Sequence, residues 1–292
     1  MEARGRRVED APRHLELTAT PAAGTAMTPE LELMELYTQF ERRRFVSSFH
    51  RRDVHAGVLR YVAEGRDGSC ILHHDFVGDE AVDEVIATQI ASFQRLGKHF
   101  EWKVYGTDAP TTLGDELLRQ GFRRGPSESF MVLDLGNAPA TLYQSSCPHP
   151  VRRITRPSEI ADAIAVQEAI AGRPLHDLAE ALTTELERNR ERISVYVVYA
   201  DGVPVASAWL SFNSASPFAG LWGGATLPEY RRNGCYHALI AARAREARRR
   251  GISYLTIDAS PMSRPIVAGL GFRFVTETWP YEWRCVRGRR AG

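Results

Sequence analysis

The segment from Leu221 to Leu239 has the residue types and spacing of a phosphate-binding loop. An apolar run predicts a strand before the loop, and a helical pattern begins directly after it. The first N–H groups of a helix have no partner within the helix, and the helix dipole makes that end positive, so an anion can bind there. Gly234 allows a close approach of the backbone because it has no Cβ, and Arg231 and Arg232 can pair with phosphate oxygens. The segment therefore predicts phosphate binding; the alternative is a solvated surface loop.

The elements around this loop alternate between helices and strands. The second half predicts helices over 160–170, 178–188, 234–250 and 264–270, and strands over 194–200, 203–212, 218–226, 253–257 and 272–283. The first half predicts helices over 29–45, 79–96 and 112–120, and strands over 58–63, 69–76, 99–105 and 129–135. Glycine-containing turns predict hairpins between 58–63 and 69–76 and between 194–200 and 203–212. The order of elements is that of an α/β chain with a mixed sheet.

The two halves share a short sequence pattern. A shift of 150 residues places Asp108-Ala109 on Asp258-Ala259 and Gly121-Phe122-Arg123 on Gly271-Phe272-Arg273. In each half the pattern follows a strand and precedes another strand, after a long amphipathic helix. Internal duplication is the interpretation we favour.

The second half resembles the GNAT superfamily of acyl-CoA-dependent N-acyltransferases. The diphosphate loop of that superfamily follows [RQ]-x-x-G-x-[GA], and this chain has Arg231-x-x-Gly234-x-Tyr236, with tyrosine in place of the last small residue. The likeness covers about residues 151–283 and extends to the first half only in outline. It implies two GNAT-like domains in tandem, a degenerate domain at 29–140 and an acyl-CoA-binding domain at 149–286. Residues 1–28, rich in Ala, Thr, Pro and Arg and without periodicity, predict a disordered tail.

The resemblance also implies a co-substrate and the residues that bind it. Acetyl-CoA is the expected co-substrate, with no metal ion. Strands four and five of such a domain diverge so that the pantetheine arm lies between them, and a backbone N–H near Leu227 binds the reacting carbonyl oxygen. The expected contacts are Ala225, Thr226 and Leu227 for pantetheine, and Arg231, Arg232, Asn233, Gly234, Cys235, Tyr236 and His237 for the diphosphate.

The first half lacks a comparable loop. Before its long helix the chain has Val77-Gly78-Asp79-Glu80, followed by Asp83 and Glu84. Carboxylates at a helix N-terminus stabilise the helix but repel a diphosphate at the same place. We therefore expect one acyl-CoA site per chain, with the first half serving as scaffold or as one wall of the acceptor site.

Proton transfer to the departing thiolate needs an acid. In the superfamily a tyrosine in the last helix often supplies the proton, and Val267 occupies that position here. Ser260, Ser263 or Tyr236 could replace it, or water could protonate a thiolate that leaves unaided. Ser263 also fits a simpler role as the N-cap of the last helix.

A general base is required to deprotonate an amine acceptor. Glu229 and Asp258 are the carboxylates nearest to strand ends that should face the site, and His237 is a candidate by its chemistry alone. Asp258 has a counterpart in Asp108 of the other half, which favours a structural role for it. The predicted catalytic residues are thus Glu229, Asp258 and Ser263.

The acceptor is the least specified part of the sequence. Trp279, Tyr281 and Trp283 share one face of a strand, which favours packing over an aromatic pocket, and Asp177 and Glu180 could attract a cationic amine. The expected function is transfer of acetyl to a primary amine of a small molecule or peptide by direct attack in a ternary complex. The alternatives are a non-catalytic acyl-CoA sensor and a scaffold that binds no nucleotide.

Composition narrows the class of protein. A chain of 292 residues with 43% hydrophobic residues can form two compact units. A net charge of +1 gives no overall attraction to nucleic acid or anionic membranes, and no apolar run reaches the roughly 18 residues of a membrane span. The four cysteines have no metal-binding spacing. We expect a cytoplasmic protein without nucleic-acid or membrane partners.

Overall fold

The fold is described from a computed structural model, over residues 27–65, 68–76 and 82–285. The strands are β1 (His50–His55), β2 (Val58–Ala63), β3 (Ser69–His74), β4 (Phe100–Tyr105), β5 (Arg123–Arg124), β6 (Glu128–Asp134), β7 (Val151–Arg153), β8 (Ile193–Ala200), β9 (Val203–Phe212), β10 (Phe218–Thr226), β11 (Tyr254–Ala259) and β12 (Arg273–Trp283). The helices are α1 (Pro29–Tyr37), α2 (Val82–Leu96), α3 (Leu113–Arg119), α4 (Ile160–Ala171), α5 (His176–Arg188), α6 (Cys235–Arg249) and α7 (Arg264–Gly269). Most of the predicted tail and the segment 77–80, which includes Asp79 and Glu80, lie outside the described residues.

The described strands form a single mixed sheet through both halves of the chain. Its order is β1-β2-β3-β4-β12-β6-β11-β10-β9-β8-β7, with β5 added beside β12. The two halves exchange their last strands: β12 of the second half pairs with β4 of the first, and β6 of the first half pairs with β11 of the second. β6 and β12 then pair with each other at the centre. The sheet is therefore continuous, with helices on both faces.

The exchanged strands complete the cores of the opposite halves. Met131 and Leu133 of β6 are buried with the residues of α6 and α7 in the second half. Tyr281 of β12 is buried in the first half beside Trp102, with Trp279 and Trp283 packed at the edge of the same cluster. The aromatic residues of the last strand therefore pack against the other half, as the packing interpretation predicted. Each half depends on a strand from the other for its apolar burial.

The first helix is shorter than the sequence predicted. α1 ends at Tyr37 and continues as a π-helical turn, Thr38–Arg42, instead of running to residue 45. The turn directs Arg42 inward, where its guanidinium makes a bidentate ion pair with Asp108 at 2.7 and 2.9 Å. Such paired hydrogen bonds to a buried carboxylate constrain the backbone strongly. Strand β1, which is polar and lacks an apolar alternation, was missed by the sequence analysis.

A buried ion pair joins the two halves near the exchanged strands. Nζ of Lys103, on β4, lies 2.5 Å from Oδ2 of Asp258, on β11, and the side chains are 11% and 10% exposed. Burial by itself lowers the pKa of Lys103, but the Asp258 carboxylate raises it overall, so the ammonium stays charged.

In the described part of the chain, every helix is too short or too polar to span a lipid bilayer.

Removing either partner of this ion pair should destabilise the fold, because the other charge stays buried without compensation. We expect Lys103→Met and Asp258→Asn each to lower the free energy of unfolding by about 3 kcal/mol. The double variant should lose less than the sum of the two single losses. Urea unfolding of the four proteins measures the coupling, and simple additivity would contradict the pairing.

Candidate functional site

The two central parallel strands of the second half diverge. β10 and β11 pair only from Phe218 opposite Tyr254 to Gly220 opposite Thr256. Beyond these residues β10 continues to Thr226 with a register shift between Trp222 and Ala225 in its pairing with β9. The strands thus leave an opening, called here the strand gap, as the resemblance implies for pantetheine.

Two polar side chains hold the irregular part of β10. Gln167 of α4 donates from Nε2 to the Gly223 carbonyl at 2.6 Å. Arg243 of α6 is 1% exposed and donates to the carbonyls of Trp209 and Trp222. Burial lowers the pKa of Arg243 to about 10. These side chains donate hydrogen bonds to carbonyls that the register shift removes from regular strand pairing. The β-bulge between Trp222 and Ala225 is therefore stabilised by side chains of α4 and α6.

A run of backbone amides at the start of α6 lacks close hydrogen bonds. Within the described residues, the N–H groups of residues 232–237 make no backbone–backbone hydrogen bond of ordinary length and angle, and the first amide to bond back is that of Ala238, to the Gly234 carbonyl at 2.9 Å. Arg232 and Gly234 both have positive φ, 65° and 75°. Left-handed residues alternating with ordinary ones turn successive N–H groups toward a common point, which binds anions. We call these six amides the amide run.

The arginines beside the amide run carry no carboxylate partner among the described residues. Arg231 and Arg232 are exposed, as is Asn233. Nε of Arg231 donates to the Thr226 carbonyl at 3.2 Å, which leaves its two terminal nitrogens available. The geometry therefore adds two exposed positive charges to the positive end of α6.

The amide of Leu227 itself is not a free donor. This N–H donates to the Val205 carbonyl at 2.9 Å, and the Leu227 carbonyl accepts from the Tyr230 amide. Antiparallel pairing alternates along a strand, so Ala225, like Leu227, faces β9, whereas the Thr226 amide between them faces the strand gap. The Thr226 hydroxyl is buried and has no partner in the described structure.

Tyr236 lies across the strand gap. A Cβ on Gly224 of β10 would come within 2.6 Å of Cε2 of the Tyr236 ring, so the ring rests on that strand. Burial raises the pKa of Tyr236, and the Arg243 charge and a hydrogen bond to the Ser263 side chain oppose the rise. The ring thus reaches from β10 to the segment that follows β11.

The predicted acids fall into one cluster. The hydroxyls of Ser263 and Ser260 are 3.2 Å apart, and Tyr236 adds a third hydroxyl to them. Ser263 occupies the N-cap position of α7, as predicted, but its side chain makes no capping hydrogen bond. Val267 is fully buried in the core behind this cluster.

The predicted bases are separated. Glu229 is exposed on the short turn before the amide run. Asp258 is held by Lys103 through Oδ2, while its Oδ1 is buried and unpartnered in the described structure. His237 donates from Nε2 to the Leu142 carbonyl at 2.9 Å, which occupies the nitrogen that faces the linker. Asp177 and Glu180 are exposed on α5.

A segment that no sequence pattern predicted covers the loop. Residues 142–147, called here the linker segment, run along the first turn of α6. A Cβ on Gly234 would come within 3.0 Å of the Cys147 backbone nitrogen and 3.2 Å of the Ser146 hydroxyl. No local pattern could predict this contact, because the partners lie far apart in the chain.

The corresponding opening in the first half is filled. β3 and β4 pair in parallel from Ser69 to Ile71, and beyond that point aromatic rings occupy the space. The ring centres of His74 and Phe76 are 4.2 Å apart, and that of Phe76 is 6.0 Å from Trp102. Nε2 of His74 donates to the Ala109 carbonyl. The first half therefore has the strand arrangement but not the opening.

Comparison with known proteins agrees with this geometry. Residues 162–272 match the model of the Acetyltransferase (GNAT) family, and no curated protein matches the chain. A GCN5-related N-acetyltransferase from Kribbella flavida aligns with a TM-score of 0.64 and 15% identity, covering 91% of this chain and 99% of its own.

Two further solved structures align over most of the chain. A functionally unknown conserved protein from Staphylococcus epidermidis ATCC 12228 has a TM-score of 0.59 and 11% identity, covering 83% of this chain and 96% of its own. A tandem GNAT protein from the clavulanic acid biosynthesis pathway, without acetyl-CoA, has a TM-score of 0.56 and 14% identity, covering 87% and 88%. Residues 162–272 thus match the GNAT acetyltransferase family model, and over most of its length the chain has the fold of a tandem GNAT protein.

Proposed function

We propose that the chain binds acetyl-CoA at the start of α6 and transfers the acetyl group to a primary amine of a small molecule or peptide. The amide run carries this proposal: six N–H groups without a close backbone hydrogen bond stand at the positive end of a helix, beside two exposed arginines and a gap between strands. A diphosphate fits these donors, and the buried, unpartnered Thr226 hydroxyl lies on the strand where an extended arm would run. Acetyl-CoA would supply an activated acetyl group.

The residues of this chain would bind, orient and move protons. The amide run and Arg231 hold the diphosphate end. The Thr226 amide faces the strand gap and is available to a carbonyl oxygen that gains negative charge, which is the contact that accelerates acyl transfer. Tyr236 and Ser263 place two hydroxyls at the far side of the gap, where a departing sulfur would need a proton.

A neutral amine is needed for direct attack, so the acceptor must lose a proton first. Among the proposed bases, Glu229 has no ion-pair partner in the described structure, whereas Asp258 is engaged by Lys103. We therefore favour Glu229 as the base.

Because the first-half opening is filled by His74 and Phe76, we also propose one acyl-CoA per chain.

A second candidate function is that of an acyl-CoA sensor without catalysis. It is supported by the Tyr236 ring, which occupies the strand gap, and by Val267, which places an apolar core side chain where a tyrosine would serve as acid. The enzyme hypothesis predicts release of free thiol from acetyl-CoA, above the hydrolysis background, with at least one member of a panel of primary amines. Binding of acetyl-CoA without release for any amine would instead support the sensor.

Gly234→Ala should weaken acetyl-CoA binding about tenfold or more, which is about 1.4 kcal/mol. The new Cβ is strained at a φ of 75° and collides with the linker segment, so the amide run must shift. Gly269→Ala is the matched control, because nothing lies within 4 Å of the added Cβ in α7. Calorimetry on both folded variants makes the comparison. Equal affinities would refute the amide run as the binding site.

Tyr236→Ala should bind acetyl-CoA about tenfold more tightly, because the ring no longer has to leave the strand gap before the arm enters. Affinity for 3′-phosphoadenosine 5′-diphosphate, which lacks the pantetheine arm, should stay unchanged. Tyr236→Phe keeps the ring but removes the hydroxyl, so its affinity should match the parent while its turnover falls. A loss of affinity for both ligands in Tyr236→Ala would mean that the ring supports the diphosphate site instead.

A further inference from the structure

Two cysteines from distant parts of the chain meet under the amide run. Cys147 ends the linker segment, and Cys235 is the first residue of α6, between Gly234 and Tyr236. Both are free thiols. The Cys147 sulfur lies 3.6 Å from the Cys235 sulfur and donates a hydrogen bond to it. The spacing of the cysteines in the sequence gave no metal-binding pattern, and acyl transfer as proposed above uses neither thiol.

The linker segment that carries Cys147 is tied closely to the first turn of α6. The Leu142 carbonyl accepts from His237 at 2.9 Å. At the other end, the backbone of Cys147 leaves no room for a Cβ on Gly234. The loop and the linker segment are therefore packed together on both sides of the two sulfurs.

We propose that Cys147 and Cys235 form an oxidisable dithiol, which a peroxide closes to a disulfide, and that the closed form binds acyl-CoA more weakly than the dithiol. The second part of this inference rests on the proposed function, because it concerns regulation of the same site. The disulfide itself does not depend on that function.

The two thiols differ in how exposed their sulfurs are to a small oxidant, and this decides which is oxidised first. Cys147 lines a cavity of about 460 Å³ together with His149, Arg153 and Arg245, so a small oxidant can reach its sulfur. Cys235 is only 1% exposed, and burial together with the neighbouring thiol raises its pKa to about 11. Cys147 is therefore the thiol oxidised first, and Cys235 is the resolving thiol.

The reaction balances with hydrogen peroxide as the oxidant. The Cys147 sulfur attacks one peroxide oxygen, the O–O bond breaks, and one water leaves as Cys147 becomes a sulfenic acid. The Cys235 sulfur then attacks the Cys147 sulfur, the S–O bond breaks, and a second water leaves as the S–S bond forms. The thiols lose two electrons and two protons, and the peroxide takes up both.

Closure must displace the loop. A disulfide holds its sulfurs about 2.0 Å apart, so the pair must approach by roughly 1.6 Å. The linker segment already contacts Gly234, so the approach cannot be absorbed by empty space between them. A displacement of that size at the first turn of α6 changes where the amide run points, and preorganised donors lose affinity when their geometry shifts.

The test uses the full chain, reduced or treated with hydrogen peroxide. Peptide mass mapping should find a Cys147–Cys235 cross-link with the loss of two hydrogens, and the number of titratable thiols should fall from four to two. Calorimetry with acetyl-CoA, which has no free thiol, should give a dissociation constant about tenfold higher for the oxidised chain. Adding a reductant should restore the original value.

Cys147→Ser is the matched control. It keeps the loop and Cys235 but cannot form the bond, so peroxide should leave its acetyl-CoA affinity at the value of the reduced parent. Any loss of affinity from oxidation elsewhere would appear in this variant as well and would overturn the inference.

Three other results separate the hypotheses. Absence of the cross-link overturns the modification site. A cross-linked chain that binds acetyl-CoA as tightly as the reduced chain overturns the regulatory effect. A reduced parent that binds no acetyl-CoA overturns the proposed function and with it the regulation, while the mass mapping still decides whether the dithiol closes.

Discussion

Backbone hydrogen bonding along β11 is the constraint that makes the strand gap possible. β11 stops pairing with β10 after Thr256, yet its last residues, Ile257 to Ala259, still pair with β6 from the first half. Without that second neighbour the strand would lose its hydrogen bonds on both sides, which is costly for buried backbone. The first half therefore supplies the strand that allows the second half to open, even though its own opening is filled by aromatic rings.

The charged groups around the gap follow from the same arrangement. Arg243 enters the core to satisfy carbonyls that the irregular part of β10 leaves without regular partners. Lys103 crosses from β4 to Asp258 because the exchanged strands bring β4 and β11 within reach of a long side chain. Asp108, the sequence counterpart of Asp258, is likewise held by an arginine, Arg42. Each half thus has a buried, ion-paired aspartate near the end of its corresponding strand, which favours structural roles for Asp108 and Asp258.

Two features distinguish this site from the pattern of the superfamily. Tyr236 stands where the loop pattern has a small residue, and its ring lies in the strand gap beside the serine hydroxyls. Val267 stands where a tyrosine often serves as acid, and it is buried in the core. The aromatic hydroxyl that the superfamily often has in the last helix is thus absent here, and Tyr236 provides one at the start of α6. Binding of a co-substrate and supply of a proton would then depend on the same side chain.

The amino-acid sequence alone determined the types of most elements, the position of the loop at 231–236 and the resemblance to the GNAT superfamily. Local signals carry this information: the apolar period of a helix such as α2, the alternation of a strand, and Gly234 before a helix all act within a few residues. They predicted α6 and α7 within one or two residues of the observed bounds. Strand β1 was missed because its polar residues give no such signal.

Only the tertiary structure decided how these parts meet. Some of these contacts join residues that are distant in the chain: the exchange of β6 and β12, the Tyr236 ring in the strand gap, and the contact of Cys147 with Cys235. The hydrogen bond made by the Leu227 amide depends on which neighbour the strand faces. Propensity and spacing describe one segment at a time. Strand order and side-chain contacts instead depend on which apolar faces bury each other best, and that is settled by the whole chain together.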